Sequence, residues 1–160
     1  MATSFFASKN CILLATAIIL TLSLVSCQSY DDDLELSEIP GQASVRYDGQ
    51  TWRSYEAGVA SWYGDGFYFK RTANGEMFLP GEYFTAAHKY LPLGTFVIVK
   101  NKLNNKAVLV NINDRGPFVK GRVIDLSLNA AKKLEITREG TAPVVIYVKK
   151  SHLTQEFEED

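Results

Sequence analysis

Ala107-Val108-Leu109-Val110-Asn111-Ile112-Asn113-Asp114-Arg115-Gly116-Pro117-Phe118 sets one carboxylate, Asp114, directly after an apolar run. The run from Ala107 to Ile112 reads as a largely buried β-strand, and Gly116-Pro117 ends it within a few residues. Asp114 is therefore expected on a sharp turn at a strand end, held by the scaffold but open to a cleft. Two uses fit an acid in that place. It can cap the turn and pair with Arg115, as Asp beside Gly and Pro commonly does, or it can do chemistry. The segment alone leaves both open.

Outward from this stretch, short apolar runs recur between turn signals. Strands are expected near Val59 to Trp62, Phe84 to Ala87, Thr95 to Lys100, Ala107 to Ile112, Val123 to Leu126 and Pro143 to Val148. Leu128 to Leu134 is the one good helix candidate, with Leu128, Ala131 and Leu134 on one face and Ser127 placed to cap it. Asn104-Asn105 reads as a hairpin turn. Six short strands with one or two helices are too few for a typical sandwich and suit a small all-β barrel, which removes exposed edges by closure.

The ends of the chain read differently. Met1 to Asn10 carries one positive side chain, Lys9, and no acid, and Cys11 to Val25 is apolar, as in a secretory signal peptide over 1–26. Its end, Leu24-Val25-Ser26-Cys27, resembles a bacterial lipobox, which implies lipid modification of Cys27 and attachment to a membrane. Acyl chains contribute roughly 0.8 kcal/mol per buried CH₂, so more than one chain anchors firmly. Gln28 after the Cys favours the periplasmic face of the outer membrane over the inner membrane. Removal of Cys11 with the signal would leave Cys27 with no disulfide partner, so the fold must rest on its own core. Residues 27–57 show few apolar positions and no clear period, and read as a tether. Residues 58–150 form the barrel domain, and 151–160 an acidic tail.

Within 58–150, fourteen Lys and Arg stand against seven Asp and Glu, a formal +7 flanked by acidic ends. A basic exported domain suits an anionic polymer of the cell wall, and export argues against nucleic acid. There is no Cys and His cluster that would make a case for a metal site, and nothing in the chain calls for a cofactor. Gly64-Asp65-Gly66 lacks the strand-then-helix context of a nucleotide loop.

Ala60-Ser61-Trp62-Tyr63-Gly64, Thr72-Ala73-Asn74-Gly75-Glu76, Thr85-Ala86-Ala87-His88, Leu91-Pro92-Leu93-Gly94-Thr95, the Asn113 to Phe118 segment and Arg122-Val123-Ile124-Asp125-Leu126-Ser127 follow one another in order. Together they resemble the rare lipoprotein A family. The resemblance covers nearly all of 58–148. It implies a six-stranded double-psi β-barrel and a peptidoglycan lytic transglycosylase that cleaves between N-acetylmuramic acid and N-acetylglucosamine to leave an anhydro sugar. It also implies peptidoglycan glycan strands as partner, with cell-division or wall-synthesis proteins as further partners.

Carried over by position, the family's catalytic acid falls on Asp114, and its other functional polar residues fall on Glu76 and His88, expected to orient Asp114 or bind the sugar. Asn74, Asn113, Arg115 and Arg122, polar residues of the same motifs, are expected to bind glycan. A single acid is chemically sufficient, because lytic cleavage uses the substrate's own hydroxyl as nucleophile and needs no second carboxylate to activate water. Glu76 also reads as a solvated loop acid, and His88 as a hydrogen-bonded strand-end residue. Among the aromatics between Trp52 and Phe84, Tyr63 is expected to face the glycan and Trp62 the core. Phe67-Tyr68-Phe69, if extended, cannot all point inward. The alternative from another class is a non-catalytic, expansin-like wall-binding lipoprotein; a purely structural tie between membrane and wall would need no polar cleft.

Overall fold

The computed structural model describes residues 34–79 and 83–153. The expected signal peptide and lipidated Cys27, with the first part of the tether and the last part of the tail, lie outside them. The strands are β1 (Ser37–Glu38), β2 (Ser44–Tyr47), β3 (Gln50–Trp62), β4 (Thr85–His88), β5 (Phe96–Asn101), β6 (Ala107–Asp114), β7 (Arg122–Leu126) and β8 (Thr141–Lys149). Two short helices, α1 (Leu128–Lys133) and α2 (Lys150–Leu153), complete the set.

Six strands close on themselves in the order β3-β7-β4-β6-β5-β8, with β8 returning to β3. The pairs β3–β7 and β4–β6 are parallel and the other four antiparallel. This is the closed, mixed six-stranded barrel expected for a double-psi β-barrel.

The long apolar runs follow from burial on both faces. Val97, Val99, Val108, Val110, Val144, Ile146 and Val148 point into the barrel with Ile112, Ile124 and Leu126. Between them, Ile98, Ala107 and Tyr147 point outward, yet are buried beneath Val45 and Trp52. The cover comes from the ribbon of β1, β2 and the first half of β3.

That ribbon corrects the reading of 27–57 as a tether, since residues 37–57 are largely strand. The missed signal was Asp48-Gly49 between Tyr47 and Gln50: both residues take positive φ (49° and 67°), as a two-residue hairpin turn requires. The sparse apolar residues Leu34, Leu36, Val45, Tyr47 and Trp52 build no core of their own but cover the outside of another, so no period is visible. Consequently β3 runs unbroken for 13 residues. A boundary at 58 would cut it in half. Over 34–153 the charge balance is sixteen Lys and Arg against eleven Asp and Glu, +5 in place of +7.

The remaining expectations shift only at their edges. α1 starts at the Ser127 cap, whose hydroxyl oxygen accepts from Ala130 N, and it buries Ala130 and Ala131, with Leu134 following as a fully buried residue. Asn105 takes φ 62° in the β5–β6 turn.

Candidate functional site

Asp114 is the last residue of β6, not part of the turn beyond it. A bulge puts it there: Ala86 pairs with Ile112 but Ala87 pairs with Asp114, so Asn113 is the extra residue. Three donors converge on the carboxylate. Backbone N–H groups of Ala73 and Arg115 donate to Oδ1 at 2.9 and 2.8 Å, and the Tyr63 hydroxyl donates to Oδ2 at 3.3 Å. One oxygen is thus fixed by the main chain, while the other carries a single longer bond.

The Thr72–Glu76 loop delivers the Ala73 donor. Asn74 organises it: its Oδ1 accepts from Thr72 Oγ1 at 2.6 Å and from Glu76 N at 3.0 Å, and Gly75 turns with φ 89°. Asn74 N then donates to Asn113 O at 3.1 Å, clipping the loop to the bulge in β6. Asn113 Nδ2 reaches Glu76 Oε2 at 3.5 Å. Asn74 and Glu76 are both exposed beside Asp114's partners.

Tyr63 differs from its expected place. Only 8% of it is exposed, its ring lying edge-on to Phe78 and tilted against Phe67. It offers no face for a sugar; its hydroxyl alone enters the site. Burial, reinforced by the charges of Asp114 and Asp125, pushes the phenol far above its usual range, so it stays a donor. Of Phe67, Tyr68 and Phe69 the first and last are exposed, 65–67 forming a 3₁₀ turn in place of an extended run. Trp62 packs, half-buried, against the barrel core.

His88 does not bond to Asp114. It is 1% exposed; its Nε2 lies 3.0 Å from Glu56 Oε2, and its Nδ1 accepts from the N–H groups of Tyr90 and Leu91 at 3.2 and 3.0 Å. Those two bonds make Nδ1 the unprotonated nitrogen and Nε2 the donor to Glu56. Burial holds the imidazole below its usual range; the Glu56 carboxylate opposes this, and the Arg115 and Lys89 charges add to it. Its connection to Asp114 runs through Arg115, whose Nη1 donates to Leu91 O at 2.9 Å and His88 O at 3.4 Å while its own N–H bonds Asp114. That guanidinium is occupied in the frame. Glu56 went unnoticed in the sequence because it lay in the presumed tether.

Arg122 is also committed within the protein. Its Nη1 donates to Ser61 Oγ at 2.8 Å and its Nε lies 3.7 Å from Asp125 Oδ1, while Ser61 Oγ makes a very short hydrogen bond to the same Asp125 oxygen. Among the described residues no group of three His, Cys, Asp or Glu side chains could hold a metal ion.

The closed, mixed six-stranded barrel, with one carboxylate held at a strand end by main-chain donors, places the chain in the class of double-psi β-barrel domains. The Lytic transglycolase family model matches residues 55–146, and the chain belongs to that family. It is 52% identical over 91 residues to the endolytic peptidoglycan transglycosylase RlpA of Campylobacter jejuni, covering 57% of this chain and 33% of that one. To the RlpA of Rickettsia bellii it is 52% identical over 94 residues, covering 57% and 41%. The match thus spans about a third of the length of such curated relatives. Among solved structures, apo-Clavibacter michiganensis expansin aligns with TM-score 0.45 and 24% identity over 58% of this chain and 48% of that one.

Proposed function

We propose that this protein is a peptidoglycan lytic transglycosylase, cleaving between N-acetylmuramic acid and N-acetylglucosamine, with Asp114 as the single acid and then base. The reading rests on family membership and on one observation above all: the Asp114 carboxylate is fixed through Oδ1 by two backbone N–H groups, leaving Oδ2 with one long bond from Tyr63. In the first half of the reaction the Asp114 carboxyl gives its proton to the glycosidic oxygen as the bond to the anomeric carbon breaks. In the second, the muramic acid's own hydroxyl attacks that carbon and returns its proton to Asp114, closing the anhydro ring. Such proton transfer contributes ~10²–10⁴ in rate.

Glu76 and Asn74, both exposed, and Asn113 behind them form the wall that meets the glycan. His88, Glu56 and Arg115 act at one remove, fixing the 88–91 turn and with it the backbone donor at Arg115. The same reading includes a lipid anchor at Cys27, the periplasmic face of the outer membrane as location, and division or wall-synthesis proteins as neighbours. Unchanged sedimentation of Cys27→Ser with membranes would count against the anchor.

The test is incubation of the full chain with purified peptidoglycan and mass spectrometry of the released muropeptides. Anhydro products that vanish in Asp114→Asn are expected. No product from the wild type would sink the enzyme reading; product that survives Asp114→Asn would sink the role given to Asp114. Binding to sacculi without product would favour an expansin-like wall binder.

A further inference from the structure

The outer face of the barrel carries an open pocket that the chemistry at Asp114 does not use. It measures about 310 Å³ and is lined by Tyr47, Gln50 and Trp52 of the ribbon, Phe96 of β5, Leu109 of β6 and Lys149 of β8, with Asp48 at the turn between β2 and β3. Register explains why these residues meet. Trp52 pairs with Lys149, the pairing of Val97 with Val148 brings Phe96 alongside Lys149, and Phe96 itself pairs with Asn111, two residues from Leu109. The tip of the ribbon thus forms one wall and the outside of the barrel the other.

The pocket shares a face with Asp114. Along β6, Val108, Val110 and Ile112 fill the barrel core, which turns Leu109 and Asn111 outward, and the extra residue at Asn113 returns Asp114 to that same side. Leu109 and Asp114 therefore stand roughly 15 Å apart on one strand, with half-buried Asn111 between them. A short run of linked sugars covers that span. The lining also suits a sugar. Phe96 is 52% exposed on a strand whose next three residues are fully buried, and such a ring offers a flat apolar face to the C–H face of a pyranose. Lys149 and Gln50 can donate, and Gln50 and Asp48 can accept. Neither Lys149 nor Asp48 has an ion-pair partner among the described residues, and one of each leaves the lining without net charge. Hydroxyl and acetamido groups, which both donate and accept, match that set, whereas an acidic peptide would be repelled by Asp48 as much as drawn by Lys149. Tyr47, Gln50, Trp52 and Lys149 all lie outside the span 55–146 that matches the family, so the family's barrel alone does not supply this pocket.

We propose that this pocket is a distal subsite, holding an N-acetylhexosamine unit of the glycan strand some way along from the bond at Asp114. The proposal rests on the glycan reading of the Asp114 site but concerns binding, not proton transfer. Phe96 stacks on the sugar, Lys149 and Gln50 donate to its oxygens, and Asp48 accepts from a hydroxyl or the acetamido N–H. A strand seated at both places is held twice, and its second contact is intramolecular, so long strands are retained over short ones.

The experiment is made in the inactive Asp114→Asn background, so that turnover plays no part. Binding of the full chain to peptide-free glycan strands and to peptide-bearing sacculi is measured for Asp114→Asn alone and for Asp114→Asn with Phe96→Ala and Lys149→Ala. The expected result is about a tenfold weaker apparent Kd for the triple variant on both polymers, at unchanged secondary structure. Equal binding by the two proteins would overturn the proposal. A loss seen on sacculi but not on peptide-free strands would assign the pocket to the stem peptide and overturn it too, as would a dimer in solution that the same substitutions dissociate. If the triple variant does not fold, the intact pocket is read directly: with Asp114→Asn and Trp62→Phe, Trp52 is the one tryptophan left. Saturating peptide-free strands should then change its emission, and emission that stays constant overturns the proposal. Failure of the enzymatic reading would show elsewhere, as no anhydro product from the wild type, whereas the binding comparison alone decides the pocket.

Discussion

His88 should make the stability of the barrel fall as the pH drops through the imidazole range. In the fold its Nδ1 accepts from two backbone N–H groups, at Tyr90 and Leu91, while Nε2 lies against Glu56. A proton on Nδ1 would turn that acceptor into a donor facing two donors, inside a site where the ring is 1% exposed. The folded imidazole is accordingly held below its usual value of 6.5. Below about pH 6.5 the unfolded ring binds a proton that the folded one refuses, so the unfolded state carries more protons and stability rises with pH. The contribution is complete above that value and is lost as pH falls toward the folded one. If the folded ring stays neutral throughout, the difference between about pH 7.5 and about pH 5.5 amounts to about 1.4 kcal/mol. Urea melts followed by Trp52 and Trp62 fluorescence at the two pH values measure it, with His88→Gln as the comparison. Glutamine can accept from the same N–H groups but does not titrate, and carboxylate effects common to both proteins cancel. A His88→Gln protein with the same pH difference as wild type would refute the reasoning.

Three further outcomes are expected. Tyr63→Phe keeps the ring contacts with Phe67 and Phe78 but removes the 3.3 Å donor to Asp114; anhydro-product release should fall about tenfold with less than about 1 kcal/mol lost in a urea melt. Gly58→Ala would drive a Cβ into the Val123 side chain, whose branched Cβ gives it little room. It should cost about 1–3 kcal/mol, part of which Val123→Ala restores in the double variant. Ser127→Ala removes an oxygen that accepts from Ala130 N and Thr85 N and donates to Tyr83 O, so calorimetry should show about 1–2 kcal/mol of lost stability.

The barrel strands were legible because each is an apolar run ended by a turn signal, and the α1 cap because Ser127 precedes the one helical pattern. The ribbon was not, since burial of Trp52 and Val45 against the outside of the barrel leaves no period of its own. For the site, the place of Asp114 at a strand end could be read. Its donors could not: the Ala73 and Arg115 contributions are backbone, which carries no side-chain signal, and they depend on a bulge at Asn113. Tyr63 was misjudged for a related reason, because its orientation follows β3 past the irregularity between Val59 and Ala60. His88 looked like a neighbour of Asp114 by motif, whereas the fold turns it to Glu56, a residue outside the assumed domain.

The pairing of β3 with β8 joins Trp52 to Lys149 and Ser61 to Thr141, the start of the barrel to its end. Closure is therefore a strongly non-local pairing, and a topology of this kind folds slowly, in the millisecond-to-second class. Until β8 docks, β3 and β5 both present open edges rich in unpaired backbone, the form most prone to join another copy. The β2–β3 ribbon, closed by the adjacent Asp48-Gly49 turn, can form much earlier and shield Ile98 and Tyr147 only once they arrive. Loss of even the last strand would leave two sticky edges, so the chain has to be made to Lys149 before it has a barrel at all.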